Sequence, residues 1–162
     1  MGLFDRLRRK TNSKAIFIGL DASGKSTIIS FLQQGKFVEH TPTMGKSKLQ
    51  MDVSGTRISL IDLGGQKDFR ELWLGELSDA KCVVFVVDKA NEARFKEAKS
   101  EFRKVLPMII KKDIKLLFLA NKHDLDPNPK LPMILRQFEL LDLENFEILE
   151  ISAKTGYGMA DA

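Results

Sequence analysis

Apolar residues recur along this chain in two rhythms. The stretches KAIFIGL (14–20), KCVVFVVD (81–88) and IKLLFLAN (114–121) are short and nearly unbroken, which predicts strands covered on both faces in a mostly parallel sheet. KSKLQMDV and TRISLIDL flank Ser54-Gly55, a two-residue connection that predicts a tight β-hairpin. FEILEISA (146–153) reads as a last strand. Helical spacing appears in GKSTIISFLQQ, NEARFKEAKSEFRKVLPMIIK and PKLPMILRQFELL. Strands alternating with helices predict an α/β domain with a parallel core. In such folds ligands bind beyond the carboxyl ends of the strands. Candidate chemical residues follow the apolar runs four times, at 19–27, 62–66, 121–124 and 152–154.

Composition narrows the class without naming a function. A chain of 162 residues with 43% hydrophobic and 30% charged positions suits one globular domain with a substantial core. No apolar stretch approaches the roughly 20 residues of a membrane-spanning helix, and no secretory leader is visible. Cys82 is the one cysteine and lies in an apolar run, so a buried, reduced thiol is expected. The net charge of +4 is localised: residues 1–14 carry five basic residues against one acid, and the rest balance at 21 each. That distribution argues against a basic nucleic-acid-binding face on the body.

GLDASGKST (19–27) fits G-x-x-x-x-G-K-[ST] between a predicted strand and a predicted helix. Gly19, Asp21, Ala22, Ser23, Gly24 and Thr27 would form a backbone nest around phosphate oxygens. Lys25 would reach the β- and γ-phosphates, and Ser26 would ligate Mg²⁺. This establishes a nucleoside triphosphate but no base. NKHD (121–124) supplies one: the Asp124 carboxylate can accept from guanine N1 and its exocyclic amine, a donor pair adenine lacks. Asn121 would tie this loop to the phosphate loop, and the Lys122 stem would cover the ring. In SAK (152–154), the Ala153 amide would meet guanine O6, between Ser152 and Lys154. LIDLGGQKD (60–68) leaves a strand through a carboxylate and two glycines. A plain exit turn explains the glycines but not their flanking Asp62 and Gln66. A latch explains all four: Asp62 holds a metal water beside Ser26, Gly65 offers a bare amide to the γ-phosphate, and Gln66 orients the attacking water.

Together these motifs resemble the small GTPases, and more narrowly the ADP-ribosylation factor (Arf) family, through Asp21 in GLDASGKST and the paired glycines of DLGGQ. The resemblance runs from about Ala15 to Gly158. It implies the P-loop NTPase fold of small G proteins: a mostly parallel six-stranded sheet with one antiparallel edge hairpin and helices on both faces. PTMG (42–45) matches the family's first switch, which implies that Thr43 closes on Mg²⁺ and the γ-phosphate in the GTP state. The metal set is then Ser26, Thr43 and Asp62. The resemblance also implies GTP and GDP as ligands, an exchange factor, a GTPase-activating protein and effectors as partners, and a hairpin that slides between the switches. A two-residue slide would keep the same side chains on the core face, with Leu49 and Met51 exchanging places. A guanine-nucleotide-dependent scaffold with negligible turnover is the alternative. A small-molecule kinase lacks a visible acceptor site.

Four features limit or extend this reading. Lys46, Ile61 and Glu76 stand where family members usually carry aromatics, so effector identity does not transfer. TGYGMADA (155–162) ends where the family has a further helix, so the chain reads as incomplete, with exposed apolar surface expected on strands 14–20 and 146–153. No arginine occurs between Gly24 and Thr56, and Arg70 reads as a solvated helix residue, so slow intrinsic hydrolysis aided by a partner's arginine is expected. Residues 1–13 form a separate basic segment before a 14–162 GTP-binding domain. In its first ten residues Leu3, Phe4 and Leu7 share one helical face bordered by Arg6, Arg8, Arg9 and Lys10. Weak, reversible attachment to an anionic membrane from the cytoplasm is one expectation, and a solvated basic tail is the other. Arg6 occupies the position where the myristoylation pattern after Gly2 requires Ser or Thr.

Overall fold

Apolar side chains alternate between two faces of one sheet, and this alternation builds two cores. The structure, a computed structural model, describes residues 13–39, 41, 43–53 and 56–161. The N-terminal segment, Pro42 and the Ser54-Gly55 turn lie outside the described residues. Six strands form a single sheet: β1 (Ser13–Ile18), β2 (Lys46–Val53), β3 (Thr56–Leu63), β4 (Cys82–Asp88), β5 (Lys115–Asn121) and β6 (Phe146–Glu150). Their order is β2-β3-β1-β4-β5-β6. Among the described residues only the β2–β3 pair is antiparallel, with Leu49 opposite Leu60 and Met51 opposite Ile58. The remaining pairs are parallel, as the sequence predicts.

On one face Ile16, Ile18, Ile61, Val83, Phe85 and Phe118 pack against a long helix, α3 (Phe95–Lys111), through Phe95, Phe102, Val105 and Ile109. Phe85 meets Phe102 edge-on at 4.9 Å between centroids, and Phe118 meets Phe138 at 5.0 Å, a geometry that adds to simple burial. The short helices α2 (Leu72–Glu76) and α4 (Leu131–Gln137) border this face through Trp73 and Ile134. The opposite face joins Ala15, Phe17, Leu60, Val84 and Leu119 to helix α1 (Lys25–Gln34) through Ile28 and Ile29.

The expectation of exposed apolar surface is corrected at β1. Ala15 and Phe17 are fully buried, as is Ile151. The turns after β6 fold back through Gly156 N–H to Ser152 O at 2.8 Å and Met159 N–H to Gly156 O at 3.1 Å, which brings Met159 into this core. Strand β6 itself is half-buried throughout. Among the described residues no helix is long and apolar enough to cross a membrane. Cys82 is buried at the start of β4.

Candidate functional site

The loops after the carboxyl ends of β1, β3 and β5 converge on one cavity of about 290 Å³, lined by Asp21, Ala22, Gly24–Thr27, Thr41, Thr43, Gly65, Gln66 and Lys122. The loop from β1 enters α1 through Gly24, at φ 100°. A Cβ there would lie 2.3 Å from Asn121 Nδ2, so only glycine fits. No side chain caps α1 among the described residues and its first turn has no acid, which leaves the free amides and positive end of the helix to an anion. Lys25 packs back over the loop, its Nζ donating to Gly19 O at 2.9 Å and Leu20 O at 3.0 Å. Burial pushes its pKa down to about 8, opposed in part by the charges of Asp62 and Asp21.

Three oxygens meet beside Lys25. Ser26 Oγ lies 2.6 Å from Thr43 Oγ1, and Thr43 donates to Asp62 Oδ2 at 2.9 Å. Ser26 also donates to that carboxylate oxygen. Asp62 is buried, and its Oδ1 has no hydrogen-bond partner among the described residues. An unmatched buried carboxylate oxygen is costly, and here it belongs to a set of hard oxygen donors. Among the described residues no cluster of three or more His, Cys, Asp or Glu could hold a metal. Two hydroxyls, with a carboxylate beside them that can hold a metal-bound water, instead fit a hard cation such as Mg²⁺, whose other ligands would be phosphate oxygens and water.

The DLGGQ exit is pressed against the phosphate loop. A Cβ on Gly65 would stand 2.3 Å from Asp21 N and 2.5 Å from Gly19 O. Neither Gly64 nor Gly65 has a positive φ, so the demand here is for room. Gly64 N–H donates to Gly45 O at 2.7 Å, tying this exit to the loop that carries Thr43. Gln66 is half-buried at the cavity wall.

Arg70 corrects the sequence reading. It is 8% exposed, with Nε donating to Gly65 O at 2.9 Å and its terminal nitrogens 2.8 Å from Glu97, 3.4 Å from Glu101 and 3.5 Å from Asp21. Arg94, which sequence reasoning missed, donates to Asp21 Oδ1 at 2.8 Å and Asp21 O at 3.0 Å. The hydrogen bond from Arg94 holds the Asp21 carboxyl below its usual range. The only sequence signal for Arg94 is its place shortly after β4, at the end of the sheet where ligands bind.

At the other end, Asn121 bridges the loops as expected: Nδ2 donates to Ser23 O at 3.0 Å. The Ala153 amide donates to Asn121 Oδ1 at 3.2 Å. It thus holds Asn121 in place. Asp124 Oδ1 accepts from Ser152 Oγ at 2.6 Å. Lys122, at φ 70°, pairs with Asp88 at 2.8 Å and donates to Ala22 O. Lys154 is exposed and Thr27 half-buried.

A glycine-rich loop between β1 and α1, lining one cavity with Thr43, Gln66 and Lys122, on this strand order, is the P-loop fold of a small GTPase. The chain belongs to the ADP-ribosylation factor family, whose model matches residues 2–162. It is similar to the Arl6 (BBS3) small GTPase of Trypanosoma brucei, solved with the bound nucleotide analogue GppNp. That similarity is 28% identity over 93% of this chain and 92% of that one, with a TM-score of 0.78. It is also similar to the mammalian SRP receptor, at 26% identity over 91% of this chain and 95% of that one, TM-score 0.80. Family membership makes the chain a guanine-nucleotide-binding switch protein.

Proposed function

We propose that this chain is a regulatory GTPase that binds GTP with Mg²⁺, orders its switches around the γ-phosphate, hydrolyses GTP slowly to GDP and phosphate, and resets. The observation that carries this reading is the meeting of Ser26 and Thr43 on the Asp62 carboxylate, with Ser26 and Thr43 lining the same cavity as Lys25 and Gly65. A plain nucleotide holder has no use for Thr43, which arrives from a separate loop.

In this reading Ser26 and Thr43 would ligate the metal and Asp62 would hold one of its waters, and the ion would supply charge neutralisation on the phosphates. Lys25 and the loop amides stabilise charge on the transferred phosphoryl group. Gln66 orients the water for in-line attack, so catalysis rests on positioning. Asp124 reads the guanine, and Asn121, Lys122, Ser152, Ala153 and Lys154 frame its pocket. Both nearby arginines are committed to carboxylates, Arg70 to Glu97 and Arg94 to Asp21. Intrinsic hydrolysis is therefore slow, on the order of 10⁻⁴ to 10⁻² s⁻¹, and an activating protein supplies the missing arginine.

Partners would read an unusual surface. Ile61 is buried, while Glu76 pairs with Lys46 at 2.7 Å and with Lys14 at 3.0 Å, so ion pairs occupy places the family gives to aromatics. Residues 1–10 provide a reversible foothold on an anionic membrane facing the cytoplasm, released or retracted as the β2–β3 hairpin shifts. Displacement of labelled GDP by GTP, ATP and Mg²⁺ removal tests the core of the proposal. Preference for ATP, or indifference to Mg²⁺, would end it. Single-turnover phosphate release separates a GTPase from a scaffold. Co-sedimentation with anionic liposomes that is equal in the GDP and GTP-analogue states would remove the membrane part.

A further inference from the structure

Gly65, which packs on the phosphate loop, and Gly64, which packs on Thr43 O and Phe69, have no side chains to set the orientation of their own peptide planes. A pair of glycines has the broadest torsional freedom of any dipeptide, yet the γ-phosphate requires N–H groups, and a flipped peptide would offer it a carbonyl oxygen instead. Both carbonyls are held from behind. Trp73 Nε1 donates to Gly64 O at 3.2 Å, and Arg70 Nε donates to Gly65 O at 2.9 Å. In a trans peptide the carbonyl and the following N–H point in opposite directions, and no cis peptide occurs among the described residues. Holding Gly64 O toward Trp73 therefore turns the Gly65 N–H away from it, and holding Gly65 O toward Arg70 does the same for the Gln66 N–H. On their other side, Gly65 and Gln66 line the cavity shared with Lys25 and Ser26.

We propose that Trp73 and Arg70 are positioning residues that orient the Gly65 and Gln66 amides toward the terminal phosphate of a bound triphosphate. The inference rests on the GTPase reading above and deepens it. Each donor is itself fixed. The Trp73 indole is 1% exposed and stands edge-on to Phe85 at 6.4 Å. The Arg70 guanidinium is steered by Glu97 and Glu101 on α3. Both donors sit on one short segment three residues apart. Displacing that segment would release both carbonyls together and remove the amides from the phosphate.

The test uses the full chain and the variants Trp73→Phe and Arg70→Lys. Phenylalanine keeps an aromatic ring in the core but has no N–H donor. Lysine keeps the charge but loses the planar Nε donor. The readout is the ratio of affinities for a non-hydrolysable GTP analogue and GDP, from dissociation rates of fluorescent nucleotides. Loss of a directed hydrogen bond predicts a roughly tenfold fall in this ratio for each variant, and loss of the analogue-induced shifts of the Gly65 and Gln66 amide resonances. Residues that only fill the core or balance charge leave the ratio and the shifts as in the parent, and that result overturns the inference. If Trp73→Phe melts below the working temperature with GDP bound, Arg70→Lys decides alone. A parent chain that binds neither nucleotide overturns the GTPase reading itself, whereas a parent that binds both beside unchanged variants overturns only this proposal.

Discussion

Replacing Gly65 by alanine adds one methyl group where the site has no room for it. The new carbon would stand 2.3 Å from Asp21 N, 2.4 Å from Leu20 C and 2.5 Å from Gly19 O, about 1 Å inside ordinary contact with three main-chain atoms. These atoms belong to the phosphate loop and cannot rotate aside as a side chain would. The DLGGQ exit must therefore withdraw, at a cost of about 1–3 kcal/mol for overpacking a well-packed region. The cost falls on the arrangement that contacts a γ-phosphate. Affinity for a non-hydrolysable GTP analogue should drop about 5- to 150-fold, and GDP affinity should stay within about threefold. Gly75→Ala is the internal comparison, because a Cβ there meets nothing within 4 Å. In a helix that change should stabilise the fold by about 0.5–1 kcal/mol. Competition binding with labelled GDP reads the first effect and thermal melting the second. A Gly65→Ala protein whose triphosphate affinity and single-turnover rate stay within twofold of the parent would refute the close-packing argument.

Three further outcomes follow from the same geometry. Gln66→Leu should lower single-turnover phosphate release by about 10²-fold or more through loss of water positioning, with nucleotide affinity unchanged; equal release would assign the water to another group. Asp124→Ala should weaken guanine nucleotides by about 10²-fold or more and erase the preference over ATP, measured by competition; a retained preference would move base reading elsewhere. Lys25 has a native pKa of about 8 against an ordinary 10.5. Between those values the unfolded chain holds the extra proton, so the nucleotide-free protein gains stability as pH rises through this window, and the penalty is present in full below it. Phosphates need the ammonium form, so nucleotide binding above about pH 8 should take up close to one proton. Calorimetry in buffers of different ionisation heat reads this, and no uptake at pH 9 would contradict it.

What the sequence conveyed best was local. The phosphate loop, DLGGQ and NKHD each lie within a few residues of a strand end, where the change from apolar run to glycine or carboxylate is visible in one dimension. Asn121 bridging to Ser23 was legible because both loops must meet at the same edge of a parallel sheet. The arginine network was not. Arg70 sits in RELWLGEL, a stretch with the look of an exposed helix, and its partners come from α3 and the phosphate loop. Arg94 reaches Asp21 across 73 positions of sequence, a pairing created by placing β1 beside β4. The burial of Phe17 was missed for a similar reason, since Met159 reaches that core only through a series of turns. The bond from the Ala153 amide to Asn121 Oδ1 was not legible either, because it depends on how two loops stack.

The central claim is that the third phosphate determines the conformation of the switch segments. Hydrogen–deuterium exchange on the full chain, saturated with GDP or with a non-hydrolysable GTP analogue, tests it directly. The account predicts slower amide exchange in the triphosphate state across 43–45 and 63–76, with little change in β4 and β5. Identical exchange across those two segments with both nucleotides fully bound would contradict it.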